Sequence, residues 1–287
     1  MLSGIPDNNG KWCWWSCGIG GRSALDYLIH VCNKTLPDAV LQLNGMAVLP
    51  PTCRPDSFSR PVEPKKLLLP EKNDFNDRVI AYLAGRGIDR RLIDYCIKTG
   101  RLYESHQLFD KGIHYNAVFV GFGTDGNPKY AAIRGTENRR FMMEANGSDK
   151  HYSSTIPARN GSSSVHLFES AIDRLSYCTL ELRAGRDWQV EHCLSLAGIY
   201  KPRQRAEEST PPAALIQFLE DCPDMIDTIT MHLDNDEPGR LATRAIQALL
   251  SKSYTISDEP PKHRKDVNDE LCMILKECRE RIKAPER

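Results

Sequence analysis

The chain has 287 residues, of which 40% are hydrophobic and 26% are charged, and its formal net charge is +0. This composition is typical of a globular protein with one large or two modest domains, and it excludes a wholly basic nucleic-acid-binding surface but not a local basic groove. The start lacks the pattern of a signal peptide and no apolar run is long enough to span a membrane, so we expect a cytoplasmic protein. The 10 cysteines are scattered singly, which favours reduced thiols over a disulfide scaffold.

An aromatic segment near the start precedes a glycine-rich turn and a helix that Ser23 can cap. This order resembles the second half of the zinc ribbon that opens bacterial primases. Cys13 and Cys17 are separated by three residues instead of the usual two, and no upstream Cys or His completes four ligands. We therefore expect residues 1–48 to be a degenerate, zinc-ribbon-like segment that holds no zinc.

Residues 49–73 read as a linker because prolines interrupt every periodic pattern there. Proline fixes its own backbone dihedral angle and removes a hydrogen-bond donor, so a proline-rich stretch stays extended. The prolines concerned are Pro50, Pro51, Pro55, Pro61, Pro64 and Pro70. A domain boundary is predicted in this stretch.

Residues 74–160 predict a small α+β domain. Two short helices come first, and Asp89 can cap the second of them. A buried strand at 116–122 then turns through Thr124-Asp-Gly-Asn127 into a returning strand at 129–134. A third strand around 140–143 is expected to pair with this hairpin.

Residues 161–287 alternate between strands and helices. Such alternation indicates a parallel sheet flanked by helices, with ligands at the carboxyl ends of the strands. The predicted strands are 165–168, 193–197, 226–233 and 254–256, and the predicted helices are 171–182, 211–221, 241–251 and 267–282. The fold class is therefore α/β, preceded by a small α+β domain.

Acidic residues stand at the ends of two of these strands. Glu169 follows the first strand, and Asp234 and Asp236 follow the third, before a turn through Pro238 and Gly239 and a helix that starts near Arg240. If the two strands are neighbours, the three carboxylates converge in one crevice. Oxygen ligands of this kind suit Mg²⁺, with Mn²⁺ as a possible substitute.

Further polar residues surround these carboxylates in the sequence. Asp173, Asp266 and Asn268 are candidates for supporting the site, although each has a structural use at a helix start. Lys265 belongs to the densest basic cluster of the chain and suits a phosphate contact. Further nucleic-acid contacts are predicted in the hairpin domain, where a solvated charged face is the equally weighted alternative, at Arg134, Arg139, Arg140 and Lys150.

Three motifs together resemble the TOPRIM domain shared by primases, topoisomerases and some nucleases. They read Phe168-Glu-Ser-Ala-Ile-Asp-Arg-Leu-Ser176, Leu233-Asp-Asn-Asp-Glu-Pro-Gly-Arg240 and Lys265-Asp-Val-Asn-Asp269. The resemblance implies that Glu169 is a general acid/base and that Asp234 and Asp236 bind Mg²⁺. The last motif departs from the family pattern in carrying Val267 in place of Trp, a position suited to packing.

The similarity is greatest to primase-like TOPRIM proteins of bacterial mobile elements, which place a small domain of unknown function before TOPRIM. Tyr82-Leu-Ala-Gly-Arg-Gly-Ile-Asp89 matches that preceding domain. The resemblance covers residues from about 74 to 275. It implies a single-stranded DNA template, nucleotides as substrates, and a helicase or relaxase of the same element as a partner.

Three functions remain open at the level of the sequence. Mg²⁺-dependent primer synthesis is preferred because the carboxylate set is intact and a basic hairpin domain precedes it. A TOPRIM nuclease would use the same metal without nucleoside triphosphates. A DNA-binding accessory protein without catalysis would not need Glu169 or Asp234.

Overall fold

A computed structural model describes residues 12–14, 19–21, 23–32, 34–46, 66–109, 112–137, 141–198 and 209–283. The chain forms two compact units, Met1–Val62 and Glu63–Arg287. In the first unit an antiparallel pair of short strands precedes two helices, and Ser23 caps the first helix. Its elements are β1 (Trp12–Trp14), β2 (Ile19–Gly21), α1 (Ala24–His30) and α2 (Leu36–Met46). Cys13 lies on β1, whereas Cys17 lies outside the described residues.

The second unit opens with two helices, α3 (Asp77–Gly85) and α4 (Arg90–Lys98). Asp89 caps α4 by accepting a hydrogen bond from the backbone N–H of Arg91, as the sequence predicts. A four-stranded antiparallel sheet follows in the order β3–β4–β5–β6. Its strands are β3 (Leu102–Phe109), β4 (Gly112–Phe122), β5 (Pro128–Gly135) and β6 (Met142–Glu144).

The remainder of the second unit is a five-stranded sheet in the order β11–β10–β8–β9–β7, flanked by helices. Its strands pair in parallel, except that β7 runs antiparallel to β9 at one edge. The strands are β7 (Thr155–Ile156), β8 (Ser164–Phe168), β9 (His192–Ser195), β10 (Thr228–Met231) and β11 (Thr255–Asp258). The helices are α5 (Ala171–Arg183), α6 (Ala213–Asp221), α7 (Glu237–Leu250) and α8 (Val267–Lys283).

One hydrophobic core joins the first two helices of this unit to the parallel sheet. Leu83 and Ile93 from α3 and α4 belong to the same buried cluster as Phe168 at the end of β8 and Leu271 on α8. A second cluster fills the other face of the sheet and includes Leu167 from β8. The regions predicted as separate domains therefore share a core within one compact unit.

The start of α7 differs from the sequence-based expectation. A turn through Pro238 and Gly239 was predicted before a helix near Arg240, but α7 begins at Glu237 and both residues lie in its first turn. Asp236 is the N-cap of this helix, and proline is well tolerated in a first turn because the first N–H groups have no helical acceptor.

Across the described ranges, no helix is both long enough and apolar enough to cross a membrane.

Candidate active site at the carboxyl ends of the parallel strands

The fold brings Glu169, Asp234 and Asp236 to one edge of the parallel sheet. Glu169 directly follows β8, and the two aspartates follow β10. These strands are hydrogen-bonded neighbours in parallel register, with Met231 opposite Leu167. Their carboxyl ends therefore open into the same crevice, as a ligand site in a parallel sheet requires.

An aromatic stack connects the two strand ends just beneath the carboxylates. The imidazole of His232 lies nearly parallel to the ring of Phe168, with ring centroids 5.0 Å apart. Both side chains are buried, and burial lowers the pKa of His232 to about 3, so this histidine is neutral near neutral pH. The ring nitrogens of His232 lie 2.8 Å from Nδ1 of His166 on β8 and 3.0 Å from the Glu259 carbonyl, so this residue joins the end of β10 to its two neighbouring strands.

Glu169 is buried beside two other carboxylates. The residue as a whole is only 8% exposed. Burial, followed by the charges of Asp234 and Asp236, raises its pKa to about 7. The carboxyl group can therefore take up or release a proton near neutral pH.

The two aspartates differ in their surroundings. Asp236 accepts a hydrogen bond from the backbone N–H of Gly239 at 3.0 Å, and this bond lowers its pKa. Burial raises the pKa of Asp234, while the neighbouring charge of Lys265 opposes that shift. The Lys265 ammonium lies 3.4 Å from Asp234 and 3.1 Å from Asp236, so one exposed cation bridges the pair.

Backbone contacts hold the Asp234–Asp236 turn in place. The Arg240 guanidinium donates to the carbonyl groups of Leu233 and Asp234 and forms an ion pair with Asp258 at 2.8 Å. The N–H of Asn235 donates to the carbonyl of Lys265 at 2.7 Å. The turn is thereby tied to β11 on one side and to the Lys265 loop on the other.

The residues predicted to support the site also converge there. Asp173 is 7% exposed and accepts hydrogen bonds from the Ser170 hydroxyl and from the backbone N–H of Asn268. Asp266 caps the start of α8 by accepting from the N–H of Asp269 at 2.7 Å. The Asn268 amide binds the Arg86 carbonyl, the Arg86 guanidinium and the Ser176 hydroxyl, so it connects α3, α5 and α8.

The donor set fits a hard divalent cation in its chemistry. Three carboxylates share one crevice, and their mutual repulsion raises the pKa of Glu169 beyond the effect of its burial. A divalent cation relieves such repulsion with oxygen ligands. Among the described side chains, no three or more His, Cys, Asp or Glu groups already stand in metal-binding geometry, and Lys265 partly neutralises Asp234 and Asp236 instead.

A cavity of about 340 Å³ opens next to this crevice. One wall is the face of β5 and β6 that carries Tyr130, Arg134 and Met142, and the opposite wall includes Ser170 and Ala171 at the start of α5. Arg134 lines this cavity, and its contact with nucleic acid stays a prediction.

The other basic residues predicted to contact nucleic acid are not among the described residues that line this cavity. Lys150 forms an ion pair with Glu144 at 2.8 Å, and Glu144 itself lines the cavity. Arg139 and Arg140 lie outside the described residues.

Comparison with known proteins identifies the domain that holds the carboxylates. A family model described as Toprim-like matches residues 166–271, and one described as a protein of unknown function, DUF3991, matches residues 81–158. Residues 166–271 are a Toprim-like domain. The resemblance read from the three motifs and the predicted α/β fold class, preceded by a smaller α+β region, are confirmed. No curated protein matches the chain.

Solved primase structures are also similar to the chain, at low identity. The chain is 16% identical to the primase fragment of the bacteriophage T7 primase-helicase protein, covering 96% of this chain and 90% of that one with a TM-score of 0.45. It is 15% identical to the zinc-binding and RNA polymerase domains of the Aquifex aeolicus primase, covering 94% and 72% with a TM-score of 0.40. The RNA polymerase domain of the Mycobacterium tuberculosis primase DnaG is 11% identical, covering 70% and 74% with a TM-score of 0.45.

Two residues that position the Toprim-like site were not foreseen in the sequence. Arg240 closes the motif Leu233–Arg240, but its hydrogen bonds to two backbone carbonyls depend on the folded turn. Arg86 lies 182 positions from its partner Asn268, and nothing local in the sequence indicates that pairing. The only available signal was the presence of both residues in motifs that already resembled the family.

Proposed function

We propose that the chain carries out Mg²⁺-dependent phosphoryl transfer on nucleic acid, and that the reaction is primer synthesis on single-stranded DNA. The convergence of Glu169, Asp234 and Asp236 at the carboxyl ends of two adjacent parallel strands carries this proposal. The match of residues 166–271 to the Toprim-like family supports it.

Glu169, Asp234 and Asp236 are the residues that would hold Mg²⁺ or Mn²⁺. The bound cation would neutralise charge that develops on the phosphoryl group during transfer. Lys265 is 56% exposed in its side chain, so its ammonium can leave the two aspartates and contact a phosphate. Arg240 and Asn235 keep the turn that carries both aspartates rigid.

When no cation is bound directly to it, Glu169 is suited to proton transfer, because burial and the charges of Asp234 and Asp236 raise its pKa to about 7. A cation bound directly to this carboxylate would lower that pKa. Its carboxylate oxygen would take the proton from an attacking hydroxyl group, a role for which a pKa near the working pH is favourable. The adjacent 340 Å³ cavity has room for a nucleotide, and Arg134 in its lining would contact a phosphate group. Single-stranded template and nucleotides are accordingly the proposed substrates.

A primer-synthesis assay tests the proposal. Single-stranded DNA, ribonucleoside triphosphates and Mg²⁺ should yield short labelled primers with the wild-type chain. The Asp234→Asn/Asp236→Asn variant should lose this activity by at least about a hundredfold, since removal of a charge-stabilising group costs that much in comparable sites. Glu237→Gln, which changes the exposed carboxylate next to Asp236, is the matched control and should stay active.

Two other outcomes would reject primer synthesis. If labelled DNA is cut in Mg²⁺ alone, without nucleotides, the chain is a nuclease that uses the same carboxylates. If Glu169→Gln and Asp234→Asn leave the biological function of the chain unchanged, its role is DNA binding without catalysis.

A further inference from the structure

A second cavity lies apart from the carboxylates, and we call it the Arg101 cavity. Its volume is about 240 Å³. It is open to solvent and is lined by the β4–β5 turn, the short 3₁₀ helix Lys150–Tyr152, β7, the start of β9 and helix α6. None of Glu169, Asp234 and Asp236 lines it. The lining residues that matter below are Arg101, Phe122, Ser153, Thr155, Phe218 and Asp221.

Arg101 brings an unpaired positive charge to this cavity. Its Nε atom donates to the carbonyl of Thr155 at 2.9 Å, and its guanidinium faces the ring of Phe122 at 5.6 Å. Its two terminal nitrogens have no hydrogen-bond or ion-pair partner within the part of the chain that the structure describes. A guanidinium with both terminal nitrogens available is a bidentate donor for a carboxylate or a phosphate.

A second arginine increases the local excess of positive charge. Arg174 is fully buried, and none of its three guanidinium nitrogens has a partner among the described residues. Burial lowers the pKa of Arg174, and the charge of Arg101 lowers it further. The nearby thiols of Cys96, Cys178 and Cys193 have the opposite effect. A buried charge without a counter-ion is costly. Arg174 does not line the cavity, but an anion bound to Arg101 would reduce the repulsion between the two arginines.

The rest of the lining supplies further polar groups, among them the Ser153 hydroxyl and the Nε2 atom of His192, which is unpartnered among the described residues, and two flat apolar surfaces. Ser153 is 2% exposed and its hydroxyl has no hydrogen-bond partner across the described ranges. Phe122 and Phe218 provide the aromatic walls. The carboxylate in the lining, Asp221, is exposed and accepts a hydrogen bond from Gln217 at 2.9 Å, so it does not neutralise Arg101.

We propose that the Arg101 cavity binds a small organic oxyanion with one flat ring. Its carboxylate or phosphate group would contact the terminal nitrogens of Arg101 and the Ser153 hydroxyl, and its ring would pack against Phe122 and Phe218. The volume is below the range of about 300–1,000 Å³ that is common for larger cofactors, so a single-ring compound fits better than a dinucleotide.

The site is separate from the proposed catalytic crevice, although one segment of chain passes between the two cavities. Ser153 lines the Arg101 cavity, and the next residue, Ser154, lines the cavity beside the carboxylates. Gly121 holds this segment in place, because a Cβ atom there would come within 1.7 Å of the Tyr152 carbonyl oxygen. The bound oxyanion is therefore a ligand distinct from the substrate of the Toprim-like domain.

Calorimetric titration of the full chain in EDTA tests the proposal, because EDTA removes the divalent cations on which the proposed catalytic site depends. The probes are benzoate, phenyl phosphate and inorganic phosphate, with benzyl alcohol as the uncharged ring. We expect benzoate or phenyl phosphate to bind and benzyl alcohol not to bind. A comparison of the dissociation constants of benzoate and phenyl phosphate shows whether the cavity prefers a carboxylate or a phosphate group. Binding should be unchanged in the Asp234→Asn/Asp236→Asn variant, which separates this site from the proposed catalytic one.

Substitutions then localise the binding. Arg101→Gln can still donate to the Thr155 carbonyl but lacks the charge, so the affinity for the ring oxyanion should fall by at least about tenfold. Arg101→Lys should bind more tightly than Arg101→Gln, and Arg244→Gln, an exposed arginine on α7, should bind like the wild type. If Arg101→Gln does not fold, Ser153→Ala provides the test and should weaken binding about threefold. Wild-type affinity in the folded Arg101→Gln variant or in Ser153→Ala, or no binding of either ring oxyanion to the wild-type chain, would overturn the proposal.

Discussion

At the scale of single residues, the acidic groups of the crevice have opposite protonation behaviour. Burial raises the pKa of Glu169 and of Asp173 to about 7, whereas the hydrogen bond from the Gly239 N–H lowers the pKa of Asp236. The difference follows from exposure, since Asp173 is 7% exposed and the side chain of Asp236 is 32% exposed. One group of carboxylates therefore contains both a permanently charged member and members that titrate near neutral pH.

The raised pKa of Asp173 makes stability depend on pH. Its folded-state pKa of about 7 exceeds the unfolded value of about 3.9, so the native state binds more protons between these values and the free energy of unfolding falls as pH rises. Asp173→Asn removes this dependence, and an amide can still accept from the Asn268 N–H. When pH rises from 5 to 8, the free energy of unfolding of the wild type should fall by on the order of 2 kcal/mol more than that of the variant.

Urea unfolding in EDTA at both pH values measures this difference. The exposed Asp269, changed to Asn, is the control and should show no such difference from wild type. Glu169 contributes a dependence of the same sign, so part of the wild-type slope should survive in Asp173→Asn. A stability difference between Asp173→Asn and wild type that is equal at pH 5 and pH 8 would contradict the assignment.

Gly239 is required where α7 passes close to the preceding turn. A Cβ atom at this position would lie 2.0 Å from the Asp234 carbonyl oxygen. Gly239→Ala must displace that carbonyl, so we expect a loss of about 1–3 kcal/mol in stability together with weaker Mn²⁺ binding, which spectroscopic titration detects. Gly85→Ala is the matched control, because it also lies in a helix but its added Cβ meets nothing within 4 Å. Equal behaviour of the two variants would refute this role.

At the scale of elements, the sequence predicted those whose signal is local. The alternation of strands and helices after residue 161 was sufficient for β8, α5, β10 and α8, since periodicity and strand ends are visible in a short window. Strand β3 was missed because its polar residues obscure the pattern. One of them, Glu104, is 2% exposed and accepts from the N–H groups of Arg78 and Val79 at the start of α3. Such a long-range cap has no local signature.

The candidate site was likewise predictable from the sequence only where its signal is local. The identities of the three carboxylates came from motifs, but their proximity required β8 and β10 to be neighbours, which the sequence left conditional. The bridging position of Lys265 and the backbone contacts of Arg240 depend on how loops fold together. The assignment of Glu169, Asp234 and Asp236 to metal binding and catalysis stays a prediction.

Asn268 connects three helices, and its replacement should weaken their association. Its amide donates to the Arg86 carbonyl and the Ser176 hydroxyl and accepts from the Arg86 guanidinium at 2.8 Å. Asn268→Leu would leave these buried groups unpaired at a cost of about 2–4 kcal/mol in the free energy of unfolding. Asn268→Asp keeps the acceptor for Arg86 and should be affected less. Urea midpoints rank the variants, and a Leu variant as stable as wild type would disprove the connection.

At the scale of the whole molecule, the helices before the Toprim-like domain contribute to its core. Leu83 and Ile93 lie in the same buried cluster as Phe168 and Leu271, and Gly87 leaves room for α8, since a Cβ there would come within 2.5 Å of Leu275. The carboxyl end of β8 therefore rests on residues from both matched regions. The predicted boundary between 74–160 and 161–287 separates two family matches, but it runs through one compact unit.

This shared core predicts that residues 63–287 unfold in one cooperative transition. A fragment of residues 161–287 would expose the faces of Phe168 and Leu271 that the first two helices cover, so it should lack cooperative unfolding and should bind a hydrophobic dye. Calorimetry and circular dichroism on the two fragments measure this difference. Both fragments contain Glu169, Asp234 and Asp236, but only the longer one should bind Mn²⁺ tightly, because only its core holds the end of β8 in place. A cooperative 161–287 fragment with full Mn²⁺ affinity would show instead that the Toprim-like region folds and forms its site without the preceding helices.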